Sequence, residues 1–597
     1  MTDFLLRLND RFRRSTRLYM VLVALLVGVL GGYGAIAFRV LIEWFQSLFW
    51  GTEHFSIAYL QSLPWYWIVG IPAFGGVLVG WIVDRFAKEA KGHGVPEVME
   101  AVALREGRIR PRVVIAKALG SSLCIASGGS VGREGPIVQI GAALGSTVGQ
   151  ALRVGPGRLR TLTGCGAAAG IAATFNAPIA GALFAVEIVL GDFGVPQFSP
   201  IVLASVAATV VSRSYLGNFP TFDIPSYSLE HPIELVSYVL LGAAAAVVAI
   251  VFIETLNFFE DRFDEYEGVS QPIKTAVGGA LLGLLALVYP GVLGVGHEAM
   301  NQTLSGQTAW LMLLPLLMAK LLAVSLTIGS GGSGGIFMPS LFLGATLGAL
   351  VGHASGFLFP ATSAPPGAYA LVGMGALVAA ATHAPITAIL IIFELTNEYA
   401  IILPLMTSCI VATLLSSRLH PESIYTVKLM RRGVDLRAGQ DLNVLKAVTV
   451  RDVMRERPVT VAPGMTLPKL MDLVARSDER CFYVVDDNLI LKGVISMTEV
   501  QALLPGQEVL RDLVLASDVA LQDWPRVAAD DTLDAVVADL DGDFRHELPV
   551  LNEDGALVGA VRAEDVLTRY KQEVLRRELA TTLDHHPPAT HAAARRD

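Results

Sequence analysis

The stretch SGGSVGREGPIVQIGAALG, residues Ser127–Gly145, places Arg133 and Glu134 among glycines between long apolar runs. A charged side chain at membrane depth is costly and usually functional. Pro136 can open a helix there, since its missing N–H is not needed in a first turn. That turn also carries unpaired N–H donors and the positive end of the helix dipole. The stretch therefore predicts a helix that begins inside a membrane and points its start at an anion.

The composition of the chain is that of a membrane protein that crosses the bilayer many times. Of 597 residues, 53% are hydrophobic and only 17% are charged, and the mean hydropathy is +0.54. Leu18–Phe38 and Leu235–Ile253 contain no Asp, Glu, Lys or Arg, and each is long enough to span the bilayer as a helix. This composition excludes a soluble enzyme, and the net charge of −9 argues against a nucleic-acid partner. The four cysteines lie far apart, so neither a disulfide framework nor a metal site is expected.

Basic residues set the expected orientation. Five arginines precede the first apolar run and the loop Arg85–Arg112 is also basic, so both segments are expected in the cytoplasm with two crossings between them. We expect a multi-pass protein of the cell (inner) membrane with both termini in the cytoplasm. From about Val448 the composition becomes that of a soluble α/β module. The expected boundaries are a cytoplasmic segment 1–17, a transmembrane domain 18–430, a linker 431–447, two soluble copies at 448–505 and 514–572, and a tail 573–597.

An internal repeat divides the membrane part. AKALGSSLCIASGGSVGREGP, from Ala116, aligns without gaps with AKLLAVSLTIGSGGSGGIFMP, from Ala319, at an offset of 203 positions. NAPIAGALFAVEI, from Asn176, aligns with HAPITAILIIFEL, from His383, at an offset of 207. Two related halves with glycine-rich breaks in corresponding places predict a substrate site where the halves meet.

Charged residues recur in step within this repeat. Glu187 and Glu394 are equivalent, and we expect them to cap helices or to form structural pairs near the cytoplasmic ends. Lys117 and Lys320 are also equivalent, and we expect them to snorkel or to form structural pairs.

Three glycine-rich segments favour an anion over a cation. They are GHGVP at Gly92–Pro96, GREGP at Gly132–Pro136 and GGIFMP at Gly334–Pro339. Glycine lets the backbone approach a ligand closely, and several helix starts aimed at one point make an anion site without lysines. A cation site would need clustered carboxylates or inward carbonyls, whereas the acids of the apolar part are isolated. A magnesium or other cation transporter is therefore the weaker alternative.

GREGPIVQIGA is similar to the signature of the CLC family of chloride channels and chloride/proton antiporters. GHGVP and GGIFMP resemble two further segments of that family, and SIYT at Ser423–Thr426 resembles the segment that carries its pore tyrosine. The doubled C-terminal module resembles a pair of CBS modules. The resemblance implies an all-α polytopic membrane domain of two inverted repeats with broken helices, followed by a cytosolic α/β tandem CBS domain. It also implies a homodimer in the lipid bilayer, with one pathway for chloride or similar small anions in each subunit.

The resemblance also assigns roles to residues. Glu134 matches the gating glutamate of the family, whose carboxylate mimics an anion and leaves on protonation; a carboxylate merely paired with Arg133 is the structural alternative. Tyr425 matches the tyrosine whose hydroxyl donates to the central anion. No catalytic residue is expected. The expected anion-binding residues, through side chain or backbone, are His93, Gly94, Gly132, Arg133, Gly135, Ile336, Phe337 and Tyr425.

Two positions depart from the family pattern. His93 stands where the family often has a serine that contacts the anion, which leaves selectivity open; imidazole can donate an N–H or carry a charge. The retained Tyr425 argues against the fluoride-selective subclass. Ile188 stands where antiporters often have the glutamate at which protons enter. An apolar residue there favours a chloride channel or passive conductance, and a chloride/proton antiporter with another proton route is the alternative.

The CBS-like copies raise the question of a nucleotide. GVISMTE in the first copy places Ser496 and Glu499 where the family can hold an adenine nucleotide. The second copy has Arg562 in the serine position and Asp565 after it, and an arginine can meet a phosphate. An adenine nucleotide is therefore one expectation, and a structural, dimer-forming module without a cofactor is the other.

Overall fold

The computed structural model divides the chain into two compact units, Met1–Leu436 and Arg437–Asp597, called here the membrane unit and the soluble unit. The predicted segments 1–17, 431–447 and 573–597 fall largely or wholly outside the described residues, so their boundaries remain predictions. The structure describes residues 16–52, 56–86, 91–191, 195–217, 232–266, 268–360, 363–396, 398–432, 434, 448–477, 479–497, 500, 513–533, 536, 547–552, 554–569 and 572.

Helices joined by short loops make up the described part of the membrane unit. The helices of its first half are α1 Thr16–Trp50, α2 Ile57–Ser62, α3 Trp65–Phe86, α4 Val95–Leu104, α5 Arg112–Ala126, α6 Glu134–Ala151, α7 Pro156–Phe175, α8 Pro178–Phe184 with a π-helical continuation Ala185–Leu190, and α9 Val195–Leu216. Those of its second half are α10 Glu234–Asp264, α11 Gln271–Val288, α12 His297–Leu304, α13 Trp310–Gly329, α14 Phe337–Leu358, α15 Pro366–Thr382, α16 Pro385–Thr396, α17 Ile402–Leu419 and α18 Thr426–Arg431.

Eight of the described helices are long and apolar enough to cross a membrane. α1 and α3 are two of them, which agrees with two crossings between the basic segments of the sequence. The other six are α9, α10, α11, α13, α14 and α17. The shorter or glycine-broken helices lie between these spans, as expected where irregular backbone is buried inside protein.

Two corresponding helix boundaries of the two halves fall at equivalent residues. α6 begins at Glu134 and α14 at Phe337, which are 203 positions apart. α7 is followed by Asn176, with φ +59°, and α15 by His383, with φ +56°, which are 207 positions apart. The structure therefore confirms the internal repeat down to single residues.

Glycines let the central helices of each half pack backbone to backbone. A Cβ built on Gly141 in α6 would lie 2.2 Å from the carbonyl oxygen of Gly166 in α7. In the second half, a Cβ on Gly344 in α14 would lie 2.3 Å from the carbonyl oxygen of Gly373 in α15. The same close contact is thus built twice, once in each half.

The soluble unit repeats one arrangement of three strands. The first copy contains β1 Thr460–Val461, α19 Leu467–Arg476, β2 Cys481–Val485 and β3 Leu491–Ser496; the second is preceded by α20 Ala516–Val519 and contains β4 Val527–Ala528, β5 Glu547–Leu551 and β6 Leu557–Arg562. In each sheet the first strand is parallel to the second, and the second and third form an antiparallel hairpin. The middle strand β2 is buried along its whole length, so each sheet carries its own part of the core.

Candidate anion pathway

Two helix starts meet inside the membrane unit. Gly132 and Gly335 exchange two backbone hydrogen bonds, of 2.7 and 2.6 Å, two residues before α6 and α14 begin. A Cβ built on Gly335 would lie 2.6 Å from the backbone nitrogen of Gly135, so a larger residue has no room there. Because the first N–H groups of a helix have no intrahelical partner, the two starts present their donors in one place.

Glu134 is the first residue of α6 and is only 2% exposed. Its Oε2 is buried and has no hydrogen-bond partner among the described residues. The backbone N–H groups of Glu134 itself and of Met338 in α14 interact with the carboxylate. The carboxylate therefore lies between the two helix starts, where their donors would hold an anion.

A cavity of about 980 Å³ opens beside this carboxylate. Arg133 and Glu134 line it, and so do Arg39 and Glu43 of α1, which form an ion pair at 2.8 Å. Arg133 also donates a long hydrogen bond of 3.5 Å to the carbonyl oxygen of Thr174. The cavity gives an anion a charged approach to the helix starts.

In the second half, Phe337 takes the position that Glu134 has in the first. Phe337 is 2% exposed, and its ring centroid lies 5.6 Å from that of Phe175 and 6.4 Å from that of Phe184. Ile336, directly before α14, is 1% exposed. These apolar side chains pack in the core, so it is their backbone N–H groups that can serve an anion.

The loop before α4 brings His93 to the same place. Gly94 precedes α4 with φ +85°, a conformation that favours glycine. His93 is 2% exposed, and its Nδ1 is buried without a hydrogen-bond partner among the described residues. A Cβ built on Gly135 would lie 2.1 Å from the carbonyl oxygen of His93, so this loop touches the start of α6 directly.

Tyr425 lies beside His93, directly before α18. Its side chain is buried, and its ring centroid is 5.8 Å from that of His93. Two reciprocal hydrogen bonds hold the segment: the N–H of Ser423 donates to Thr426 Oγ1 at 2.8 Å, and the N–H of Thr426 donates to Ser423 Oγ at 3.2 Å. His93, Tyr425 and the start of α6 thus come together, and the region they border is called here the His93–Tyr425 site.

Lys117 and Lys320 do not snorkel, contrary to one of the expectations from the sequence. Both side chains are fully buried. Lys117 Nζ donates to the carbonyl oxygen of Gly92 at 2.7 Å, and Lys320 Nζ donates to that of Gly294 at 3.0 Å. A buried ammonium group needs such partners, and here each lysine holds the loop that precedes a short helix, α4 or α12.

The second of these loops, GVGHE at Gly294–Glu298, lines the cavity and was not among the site residues expected from the sequence. Gly296 precedes α12 with φ +79°, as Gly94 precedes α4. The loop is the counterpart of GHGVP in the second half, and several of its residues line the cavity beside Glu134. The signal was two glycines at matching spacing, which is too little to stand out in a glycine-rich chain.

The repeated glutamates cap each other's helices. Glu187 accepts hydrogen bonds from the N–H groups of Ile386 and Thr387 at the start of α16 and from Thr387 Oγ1, at 2.6–3.2 Å. Glu394 accepts from the N–H groups of Ile179 and Ala180 at the start of α8, at 3.0 and 2.7 Å. The expected capping role is confirmed, and each cap joins one half to the other.

Ile188 follows the first of these caps. It lies in the π-helical continuation of α8 and is 6% exposed, within the apolar core. The one carboxylate beside it in sequence, that of Glu187, is held by the three donors of α16.

In the soluble unit, the first cross-strand pair of the hairpin is uncharged in the first copy and charged in the second. Cys481 in β2 faces Ser496 in β3, whereas Glu547 in β5 faces Arg562 in β6 at the same register. Arg562 forms ion pairs with Glu547, at 2.9 Å, and with Glu479. Burial raises the pKa of the Glu547 carboxyl, and the hydrogen bond that the Tyr483 hydroxyl donates to it opposes that rise.

These contacts do not fit an adenine nucleotide in the second copy. Two carboxylates already meet Arg562 and would repel a phosphate. Asp565 pairs with Arg455 at 3.1 Å. In the first copy Ser496 ends β3, while Glu499 lies outside the described residues.

A membrane protein of two related halves, with helix starts that converge on a buried carboxylate, is a transport protein for small anions. The chain matches the family model described as voltage gated chloride channel over residues 75–417, and that of the CBS domain over residues 450–506 and 516–572. The chain therefore belongs to the voltage-gated chloride channel (CLC) family, whose activity is CLC-type chloride transport, and it carries a CBS pair.

Relatives agree with this assignment. The chain is 35% identical to a putative chloride channel protein ClcB-like of Ralstonia nicotianae over 420 residues, which is 70% of this chain and 98% of that protein. It is 30% identical to chloride channel protein CLC-f of Arabidopsis thaliana over 556 residues, which is 81% of this chain and 69% of that protein. Among solved structures, a slow cyanobacterial Cl⁻/H⁺ antiporter is similar with a TM-score of 0.62 and 28% identity, over 70% of this chain and 97% of that one.

Proposed function

We propose that the protein conducts chloride across the cell membrane along a path between the cavity beside Glu134 and the His93–Tyr425 site. The observation that carries this proposal is the convergence of the α6 and α14 starts on the Glu134 carboxylate. The backbone at Gly94, Gly135, Ile336 and Phe337 supplies donors and room for the anion, and Gly132, whose N–H donates to Gly335, supplies room only. His93 and Tyr425 supply side-chain donors.

Glu134 is the gate in this proposal. Its carboxylate occupies the position between two helix starts that an anion would take, so the two compete. Protonation removes the charge and with it the attraction to the helix starts, which frees the path. Arg133 beside the carboxylate contributes positive charge to the cavity.

A passive conductance is the favoured mode of transport. Ile188 offers no ionisable group, and the neighbouring Glu187 is held as a helix cap. A chloride/proton antiporter is the second candidate, and the observation on its side is the similarity to a solved Cl⁻/H⁺ antiporter. It would need a proton route that does not pass through Ile188.

The test uses the full-length protein in liposomes under a chloride gradient, with and without a pH gradient. A passive conductance predicts a zero-current potential set by chloride alone and unmoved by the pH gradient. A potential displaced by the pH gradient identifies exchange and contradicts the passive mode. A protein that moves no chloride in either condition contradicts the proposed function itself.

We also propose that the protein is a homodimer with both termini in the cytoplasm, which membership of the family supports. Light scattering of the purified protein should give the mass of a dimer.

We propose further that the CBS pair is a structural module without a bound nucleotide, because two carboxylates already engage Arg562. ATP and AMP should leave the thermal unfolding midpoint of the purified protein unchanged, and a rise with either nucleotide would contradict the structural role.

A further inference from the structure

Lys428 is a cation next to the anion pathway that the sequence comparison did not single out. It lies in α18, three residues after Tyr425, and residues at this spacing share one face of a helix. Its side chain is only 12% exposed. A Cβ built on Gly92 would lie 2.4 Å from Lys428 Nζ, so the ammonium group rests directly on the loop that carries His93.

The carboxylates near Lys428 neutralise it only in part. Glu97 Oε1 lies 3.8 Å and Glu260 Oε1 3.9 Å from Lys428 Nζ, and both distances are longer than a hydrogen bond. Lys91, directly before Gly92 in the loop itself, is different. Its Nζ is 2.8 Å from Asp264 Oδ1, and its side chain is 28% exposed.

The surroundings of His93 are rich in positive charge. Lys117 Nζ donates to the carbonyl oxygen of Gly92, directly before His93, and Lys428 Nζ rests against the same glycine. The Nδ1 of His93 is buried and has no hydrogen-bond partner among the described residues. In the tautomer that carries a proton on Nδ1, this nitrogen donates a hydrogen bond, so its lack of a partner indicates a position at which an anion completes the hydrogen bonding.

We propose that Lys428 raises the affinity of the His93–Tyr425 site for the transported anion, and that Glu97 and Glu260 lower this affinity. The inference rests on the proposed function. Lys428 acts through its charge, at a short distance and largely shielded from water. Glu97 and Glu260 act in the opposite direction because they offset that charge. Lys91, whose charge is matched by Asp264, takes no part.

The test is a calorimetric titration of the purified full-length protein with potassium chloride, alongside chloride flux in liposomes. Lys428→Met should weaken the apparent Kd for chloride about tenfold. Lys428→Arg should stay within about twofold of the parent, because it keeps the charge. Glu97→Gln should tighten the Kd about threefold, since it removes an offsetting charge. Lys91→Met is the matched control and should change the Kd less than twofold.

The outcomes separate this inference from the proposed function. An unchanged Kd in Lys428→Met, or shifts of Lys428→Met and Glu97→Gln in the same direction, would overturn the role of Lys428. If Lys428→Met does not fold, Glu97→Gln decides alone: tighter binding supports the inference, and unchanged or weaker binding overturns it. If the parent protein neither binds nor moves chloride, the proposed function fails instead.

Discussion

The two halves of the membrane unit share a backbone and differ in the side chain at its most sensitive point. In each half a fully buried lysine holds a Gly-x-Gly loop, and a glycine-rich turn leads to a helix start with a proline in its first turn. The first half places Glu134 on that start, and the second places Phe337. In the proposed function, the backbone donors bind the anion in both halves, and the side chain of the first helix residue adds control in the first half only.

The largest expected effect comes from disturbing the shared backbone. Gly135→Ala would place a Cβ 2.1 Å from the carbonyl oxygen of His93, so the loop and the start of α6 must move apart. We expect chloride flux in liposomes to fall about 100-fold or more, since displacements of about 1 Å have such effects on functional sites. Gly356→Ala in α14 is the matched control, because nothing lies within 4 Å of its added Cβ. Normal flux in Gly135→Ala would break the claim that this contact builds the site.

A smaller effect is expected where the halves cap each other. Glu187→Gln should lower the free energy of unfolding by about 2 kcal/mol, because Glu187 accepts three hydrogen bonds that its charge strengthens. Glu394→Gln, which loses the charge on two such bonds, should lower it by about 1 kcal/mol. Denaturant unfolding of the purified protein measures both.

The zero-current potential of the same two variants tests whether either carboxylate does more than cap a helix. Neither variant should move the zero-current potential in liposomes, because both carboxylates act as caps. A shift of that potential in Glu187→Gln alone would mean that Glu187 handles protons, and the two halves would then differ at this position as well.

A small effect on stability, and none on gating, is expected at Phe337. Phe337→Leu keeps an apolar side chain of similar size against Phe175 and Phe184, so the unfolding free energy should fall by about 1 kcal/mol. The dependence of chloride flux on pH should be the same as in the parent, because the backbone donors stay and no titrating group is removed. A changed pH dependence in this variant would mean that the second half also contributes to the gate.

Much of this comparison could be predicted from the sequence, because the repeat was visible. The offset of 203 positions placed Glu134 and Phe337 in equivalent positions, and both proved to be the first residues of their helices. The match of Glu187 with Glu394 led to the capping role in the same way. Prolines and glycines at fixed spacing carry this information locally, so no tertiary structure is needed to read it.

Contacts between distant segments could not be predicted in the same way. Lys428 meets Gly92 only because α18 packs beside the loop before α4. The burial of Lys117 and Lys320 depends on carbonyl groups that their own helices do not supply. Arg562 pairs with Glu547 because two strands align in register, so its charge is matched inside the protein.

The central claim is that backbone donors bind the anion and that the Glu134 carboxylate competes with it. The most direct test of this claim is the pH dependence of chloride flux in Glu134→Gln. Flux from liposomes is measured at neutral and at acidic pH, the same on both sides, for the parent and the variant. The parent should conduct faster at acidic pH, because protonation frees the path. Glu134→Gln should conduct equally at both pH values, at a rate no lower than that of the acidified parent. A variant that keeps the pH dependence of the parent would contradict the role of Glu134 as the competing anion.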